Sequence, residues 1–253
     1  MDFTPSLEKV SRAERKLAFA ETMLREWTSA GVNFVLRREV HAERAHVIAR
    51  ASSTPPDDVA FEVVEAVGHL RSALDKMIVA VVEANGNGLS GVAFPFGGFD
   101  EIFPSPRHER LRKKLTYEQW EILLGLEPYP SGNRLLWAIN EIANEDKHRK
   151  NLVKVSASAS VQKMVVRGGY FVCSGSAPAI EWGGDPDFAC PDEQRDTLLA
   201  SYAFSAGSVH PEVEPAITGR IVFGALPSLA GESVLGTLAA QVSLVRQILR
   251  YFS

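Results

Sequence analysis

NRLLWAINEIANEDKHRK, residues Asn133–Lys150, runs from an apolar stretch into the most densely charged ending in the chain. At about 100° per residue, Leu135, Ile139, Ile142 and Ala143 fall on one side with Leu136 and Ala138 flanking them, the apolar arc of a packed helix. The same count puts Asp146 in the middle of that arc. A carboxylate on a core face is costly unless it is paired or protonated, so Asp146 demands a cationic or donor partner. Trp137, Glu141, Asn144 and His148 follow the opposite side. One face reads as core and the other as exposed or shared.

A second helix supplies a partner. After SSTPPDD, with Asp57 or Asp58 as N-cap, residues Val59–Ala84 carry Val63, Val67, Leu70, Leu74, Met77, Ile78 and Val81 as a continuous stripe that ends in NGNG. Arg71 lies within its apolar arc by angle, between Val64, Val67 and Ile78, and Asp75 sits one turn on at the margin. If the two helices pack side by side, Arg71 forks toward Asp75 and Asp146 and all three charges are satisfied. Such a cluster serves either to fix packing or to bind and react.

The remaining chain arranges itself around these helices. Val10, Ala13, Leu17, Ala20, Leu24 and Trp27 recur at spacings of three and four, giving a long amphipathic helix that ends near Gly31. It covers its own domain or forms a two-helix contact with a second copy. NFVLRREV and RAHVIARA alternate with period two around the polar HAE, predicting a β-hairpin over 32–51 with solvated His41 and His46. Residues 86–108 read as a connection whose aromatic residues plug it onto the body. Arg107, Arg110, Arg112, Lys113 and Lys114 form a basic patch diluted by Glu109, Glu118 and Glu121, read as a solvated loop before a short helix from near Thr116. After Lys150, VKVSASASVQKMVV, YFVCSG, SYAFSAGSV and AITGRIVFGAL are strand candidates, APAIEWGGDPDFACPDEQRD is a polar connection, and Val234–Tyr251 is the final helix. The expected fold is α+β in a single domain over 1–253. A helix over 1–31 and a helical core over 57–150 are joined by a β-rich part over 151–225 and a C-terminal helix over 231–253. The long helices pack on an antiparallel sheet of about five or six strands, which the N-terminal hairpin joins.

With 253 residues, 45% hydrophobic and 23% charged, the chain is composed as a globular protein. A net charge of −4 argues against a surface that coats nucleic acid generally, and leaves local basic patches open. No apolar run approaches the roughly 20 residues of a membrane span and the N-terminus is charged, so no membrane contact is expected and the expected address is the cytoplasm. Cys173 and Cys190 lack the spacing of a zinc site. His69, Asp75, Asp146 and His148 can be drawn as a metal set, but angle separates Asp146 from His148. Neither a metal nor a cofactor is expected.

HLRSALDK (His69–Lys76), AFPF (Ala93–Phe96), EPYP (Glu127–Pro130) and LLWAINEIANEDKHR (Leu135–Arg149) resemble the pattern HNLRSALDH, FP, QPY and L-x-x-L-x-x-x-DKHR of an uncharacterised bacterial and phage group. The likeness covers the two central helices and their connection. It departs at Leu70, where the pattern has Asn, and at Lys76, where it has His, and it implies no activity. The chain also looks, more loosely, like the HEPN helical domains of RNA-cleaving toxins and defence proteins, whose paired helices present polar groups at a cleft. Their signature is an arginine, four to six residues, then a histidine. Here the positions five to seven before His148 are Ala143, Ile142 and Glu141, those before His69 are Val64, Val63 and Glu62, and no other histidine has the arginine. The resemblance implies a HEPN-like fold without that nuclease mechanism.

Two functions from different classes are consistent with these residues. The favoured one is a non-catalytic binding or interaction module with an internal Arg/Asp cluster, with Asn144, Lys147 and Arg149 as binding residues. The alternative is a nucleic-acid-processing, defence-related enzyme with Arg71, Asp75, Asp146 and His148 as catalytic candidates, histidine acting as acid or base and arginine holding a phosphate. The partners expected are an anionic ligand or RNA at this cluster, and a second copy of the chain through the N-terminal helix.

Overall fold

In the computed structural model, both backbone and side chains are described for residues 1–27, 56–97, 106, 108–144, 222–224, 226 and 228–253. Backbone alone is described for the rest of the elements named below, and the statements that follow concern these residues. In chain order they are α1 (Thr4–Ser29), β1 (Phe34–His41), β2 (Arg44–Ala51), α2 (Asp57–Ala84), α3 (Pro106–Arg112), α4 (Tyr117–Gly125), α5 (Arg134–Asn144), β3 (Val153–Val165), β4 (Ile180–Glu181), β5 (Asp187–Cys190), β6 (Thr197–Ala203), β7 (Glu212–Phe223) and α6 (Val234–Tyr251). They divide into two compact units: Met1–Leu24, Asp57–Val153 and Phe223–Ser253 form one, and Arg25–Pro56 with Lys154–Val222 form the other.

The first unit is built by helices packing on helices. Helix α2 lies against both α5 and α6, which also touch each other. Every residue of the α2 stripe expected from the sequence, Val63, Val67, Leu70, Leu74, Met77, Ile78 and Val81, is fully buried. A stripe this continuous can be buried only by apolar faces on more than one side. Those faces are Leu136, Ile139 and Ile142 of α5 and Leu238, Val242, Val245, Ile248 and Leu249 of α6, all buried. On α1, Val10, Ala13, Ala20 and Leu24 are buried within the chain itself. The Arg246 guanidinium grips Glu14 bidentately, Nη2 lying 2.8 Å from both carboxylate oxygens, and so ties α6 to α1. Lys16 reaches from α1 to Glu65 at 2.7 Å and to Glu62 at 3.1 Å, and these two carboxylates hold its ammonium pKa above the usual value.

Local chemistry sets the helix ends. At the close of α2, Gly86 adopts φ 73°, its N–H donates to Glu83 O and the Asn87 N–H donates back to Val82 O, the paired bonds of a left-handed C-terminal turn. Lys114 fastens the chain beyond it, its Nζ donating to Gly88 O and Ser90 O at 2.6 and 2.8 Å. Thr116 and Gln119 form a reciprocal capping box that starts α4. Asn133 Oδ1 accepts from the Leu136 N–H at 3.1 Å and opens α5.

The second unit holds strands whose backbone pairing is defined. Strands β1 and β2 are antiparallel from Phe34↔Ala51 to His41↔Arg44, β2 pairs with β6, and the order of this sheet is β1-β2-β6-β4. A separate sheet has the order β5-β3-β7.

The expected α+β arrangement, with long helices packed on one sheet of five or six strands, is therefore corrected. Where side chains are described, 70% of residues are helical, the strand pairing is limited to the parallel bridge Phe223–Ala230, and these residues form no sheet. The physical reason is that α2, α5 and α6 carry complementary apolar arcs and bury one another, while the period-two segments pair among themselves. Smaller corrections follow. The stretch read as a solvated basic loop contains α3, with His108 and Leu111 buried. The stretch read as a polar connection after the YFVCSG candidate contains β4 and β5; YFVCSG itself lies outside the described residues.

Candidate functional site

Arg71 projects from α2 beside α5, half-buried. Its Nη1–H donates to Asn144 Oδ1 at 2.7 Å. Asn144 in turn donates through Nδ2 to Oδ1 of Asn140, one turn back on α5, at 3.3 Å. Asn140 is 92% buried, since only 8% of its surface is accessible, so the amide pair is anchored in the core. On another side the guanidinium lies over the Phe96 ring, 5.7 Å from its centroid, within the range of a cation–π contact.

The segment carrying Phe96 is fixed from three directions. Asp75, one turn beyond Arg71, accepts the Phe94 N–H through Oδ1 at 2.8 Å. The buried Phe94 ring packs against Phe96 with centroids 4.8 Å apart. The Gly97 N–H donates to Pro128 O at 3.2 Å, which joins the AFPF segment to the EPYP turn. That turn is itself tight: Glu127 has φ 51°, and its carbonyl accepts from both Tyr129 and Asn133 N–H at 2.8 Å. HLRSALDK, AFPF, EPYP and the α5 stretch thus converge on one place.

A guanidinium has five N–H donors, and Arg71 commits one of them to a protein acceptor among the described residues. It forms no ion pair there, with Asp75 or any other carboxylate. Among the described residues this leaves a flat cation with four donors uncommitted, held by a neutral amide and an aromatic face. That is the chemistry that accepts an oxyanion.

No family model, curated protein or solved structure matches this chain. The site stands on its own geometry.

Of the residues singled out from the sequence, Arg71 and Asn144 meet directly, and Asp75 joins them indirectly through the Phe94–Phe96 segment. The expected fork between Arg71 and Asp75 is not formed; each has a different partner. Asp146, Lys147, His148 and Arg149 lie outside the described residues. His69 is turned toward α1, where burial first, and then the nearby positive charge of Lys9, push its pKa below the usual value, with Arg12 and Lys16 adding to the effect and Glu65 opposing it. Among the described residues no group of three or more His, Cys, Asp or Glu is placed to hold a metal, and no helix is long and apolar enough to cross a membrane.

Sequence reading missed Phe96, Phe94 and Asn140 as parts of the site. The i, i+4 relation of Asn140 to Asn144 was available as a signal, because two amides one turn apart bond readily along a helix. Nothing in the sequence announced that a backbone N–H would claim Asp75.

Proposed function

We propose that the protein is a non-catalytic binding module that takes an anionic ligand at Arg71. The observation carrying this reading is the Arg71 side chain itself, held by Asn144 at 2.7 Å and by the Phe96 face, with no carboxylate partner among the described residues. Pre-arranged side chains lose little freedom on binding, which favours recognition. Asp75 weakens the enzymatic alternative, since its Oδ1 is engaged by the Phe94 N–H in a structural bond. Within this reading the protein works in the cytoplasm.

The test is to purify the full chain without nuclease treatment and identify co-purifying anions by absorbance and mass spectrometry, with Arg71→Gln alongside. A phosphorylated compound or RNA carried by the native chain and absent from folded Arg71→Gln supports the proposal. Equal retention by both proteins, or no bound anion together with no binding of added phosphate, removes it. Cleavage of an added RNA by the native chain moves the assignment to the nucleic-acid-processing enzyme.

A further inference from the structure

Asp75 presents a contradiction in any anion site. A carboxylate one helical turn from a cation that receives anions repels the ligand, so electrostatics alone would be better served by its absence. Yet its bond is not to Arg71. It receives the Phe94 N–H, and through that bond it holds a segment only a few residues long: the Phe94 carbonyl accepts the Phe96 N–H at 2.9 Å, the two rings touch, and Phe96 supports the guanidinium. The far end of the same segment is fastened by the Gly97 N–H to Pro128 O.

Resting on the anion-binding reading above, we propose that Asp75 is a positioning residue that sets the ligand affinity of Arg71 by fixing the Phe94–Phe96 platform beneath it. The chain of contact runs from carboxylate to backbone to ring to guanidinium. Each link is a direct hydrogen bond or ring contact, and no conformational change is needed. Asp75 touches neither ligand nor reacting atoms.

Two substitutions separate position from charge, because both remove the carboxylate charge and only one keeps the acceptor. Asn at 75 retains an Oδ1 for the Phe94 N–H, whereas Ala does not. Inorganic phosphate is titrated into the full chain, and the Arg71 Nε–H resonance is followed by NMR before and during the titration. Loss of a single prearranged support is expected to weaken phosphate binding about tenfold in Asp75→Ala and to broaden the free-state Nε–H signal. Asp75→Asn is expected to keep the signal sharp and to bind phosphate as well as the native chain or better, since it has lost a repelling charge.

Tighter binding by Asp75→Ala would show that Asp75 acts by charge and would overturn the inference. So would equal weakening in both variants. Should Asp75→Ala fail to fold, Asp75→Asn decides: a broadened Nε–H signal in that variant refutes positioning. A native chain that ignores phosphate defeats the anion-binding reading, while the free-state Nε–H signal still tests whether Asp75 orders Arg71.

Discussion

Gln241 offers a sharp test of the helical core. Its side chain on α6 is completely buried, its Nε2–H donates to the Leu135 carbonyl of α5 at 3.1 Å, and its Oε1 is sealed from solvent with no hydrogen bond among the described residues. A buried acceptor left without a donor costs about 1–3 kcal/mol, whereas one neutral hydrogen bond contributes about 0.5–1.5 kcal/mol. Replacement by methionine, unbranched and of similar length, removes the orphaned oxygen and gives up the single bond. Taking the middle of each range, the net expectation is a gain of about 1 kcal/mol, within bounds of about −0.5 to 2.5 kcal/mol. For a chain of this size that corresponds to a rise in Tm of about 2–4 °C per kcal/mol. Differential scanning calorimetry on the native chain and Gln241→Met measures it. A fall in Tm of several degrees would refute the reasoning, since it would mean that Oε1 has a stabilising partner in solution.

Other outcomes follow from single contacts. In an NMR titration His69 should show a midpoint below 6.5, its ordinary value. Because its folded pKa is depressed, the stability contributed by neutral His69 is present above about 6.5 and is lost as pH falls through the lowered midpoint, a dependence that His69→Gln should flatten. Thr116→Ala removes the reciprocal cap of α4 and should cost about 1 kcal/mol in chemical denaturation, with no change in phosphate binding. Gly132→Ala would bring a Cβ to 2.5 Å from Glu127 O and 2.7 Å from the Tyr129 ring, so it should destabilise by about 1–3 kcal/mol and loosen the turn that anchors Gly97. An unchanged melting temperature in that variant would show that the EPYP turn yields freely.

How much could be read from residues alone depended on where the information lay. The α2 stripe was legible because its apolar positions keep the helical period for its whole length, and α6 was legible because Leu238, Val242, Val245 and Ile248 or Leu249 recur on one face, all of them buried. The apolar arc of α5 was legible with a small rotation: Leu136, Ala138 and Ile142 are buried, while Leu135 and Ala143 are only partly so. Asn140 and Gln241 occupy core positions as polar residues, and periodicity assigns such positions no partner. Helix α3 was hidden by its charge, since Arg110 and Arg112 mask the two buried side chains that justify it. The largest error concerned layers. Period-two alternation identifies a strand and its faces but not what those faces meet, so a sheet was expected in the helical core, where α2, α5 and α6 bury one another.

The site divides in the same way. Arg71 stood out as a cation within an apolar arc, and that oddity marked the right place. Charge balance pointed to Asp75 and Asp146; the Asp75 leg is absent and Asn144 takes one guanidinium donor instead, while Asp146 lies outside the described residues. Asp75 was misjudged for a related reason: its carboxylate answers a backbone donor brought in by the AFPF segment, and a bond to backbone leaves no trace in side-chain patterning.

The most direct measurement is isothermal titration of inorganic phosphate into the full-length native chain and into Arg71→Gln, with folding of both checked by circular dichroism. Charge-assisted hydrogen bonds contribute about 1.5–3 kcal/mol, so saturable binding in the native chain should weaken at least tenfold in the variant. Binding of equal strength in both proteins, or none in the native chain, would contradict Arg71 as the anion-binding group.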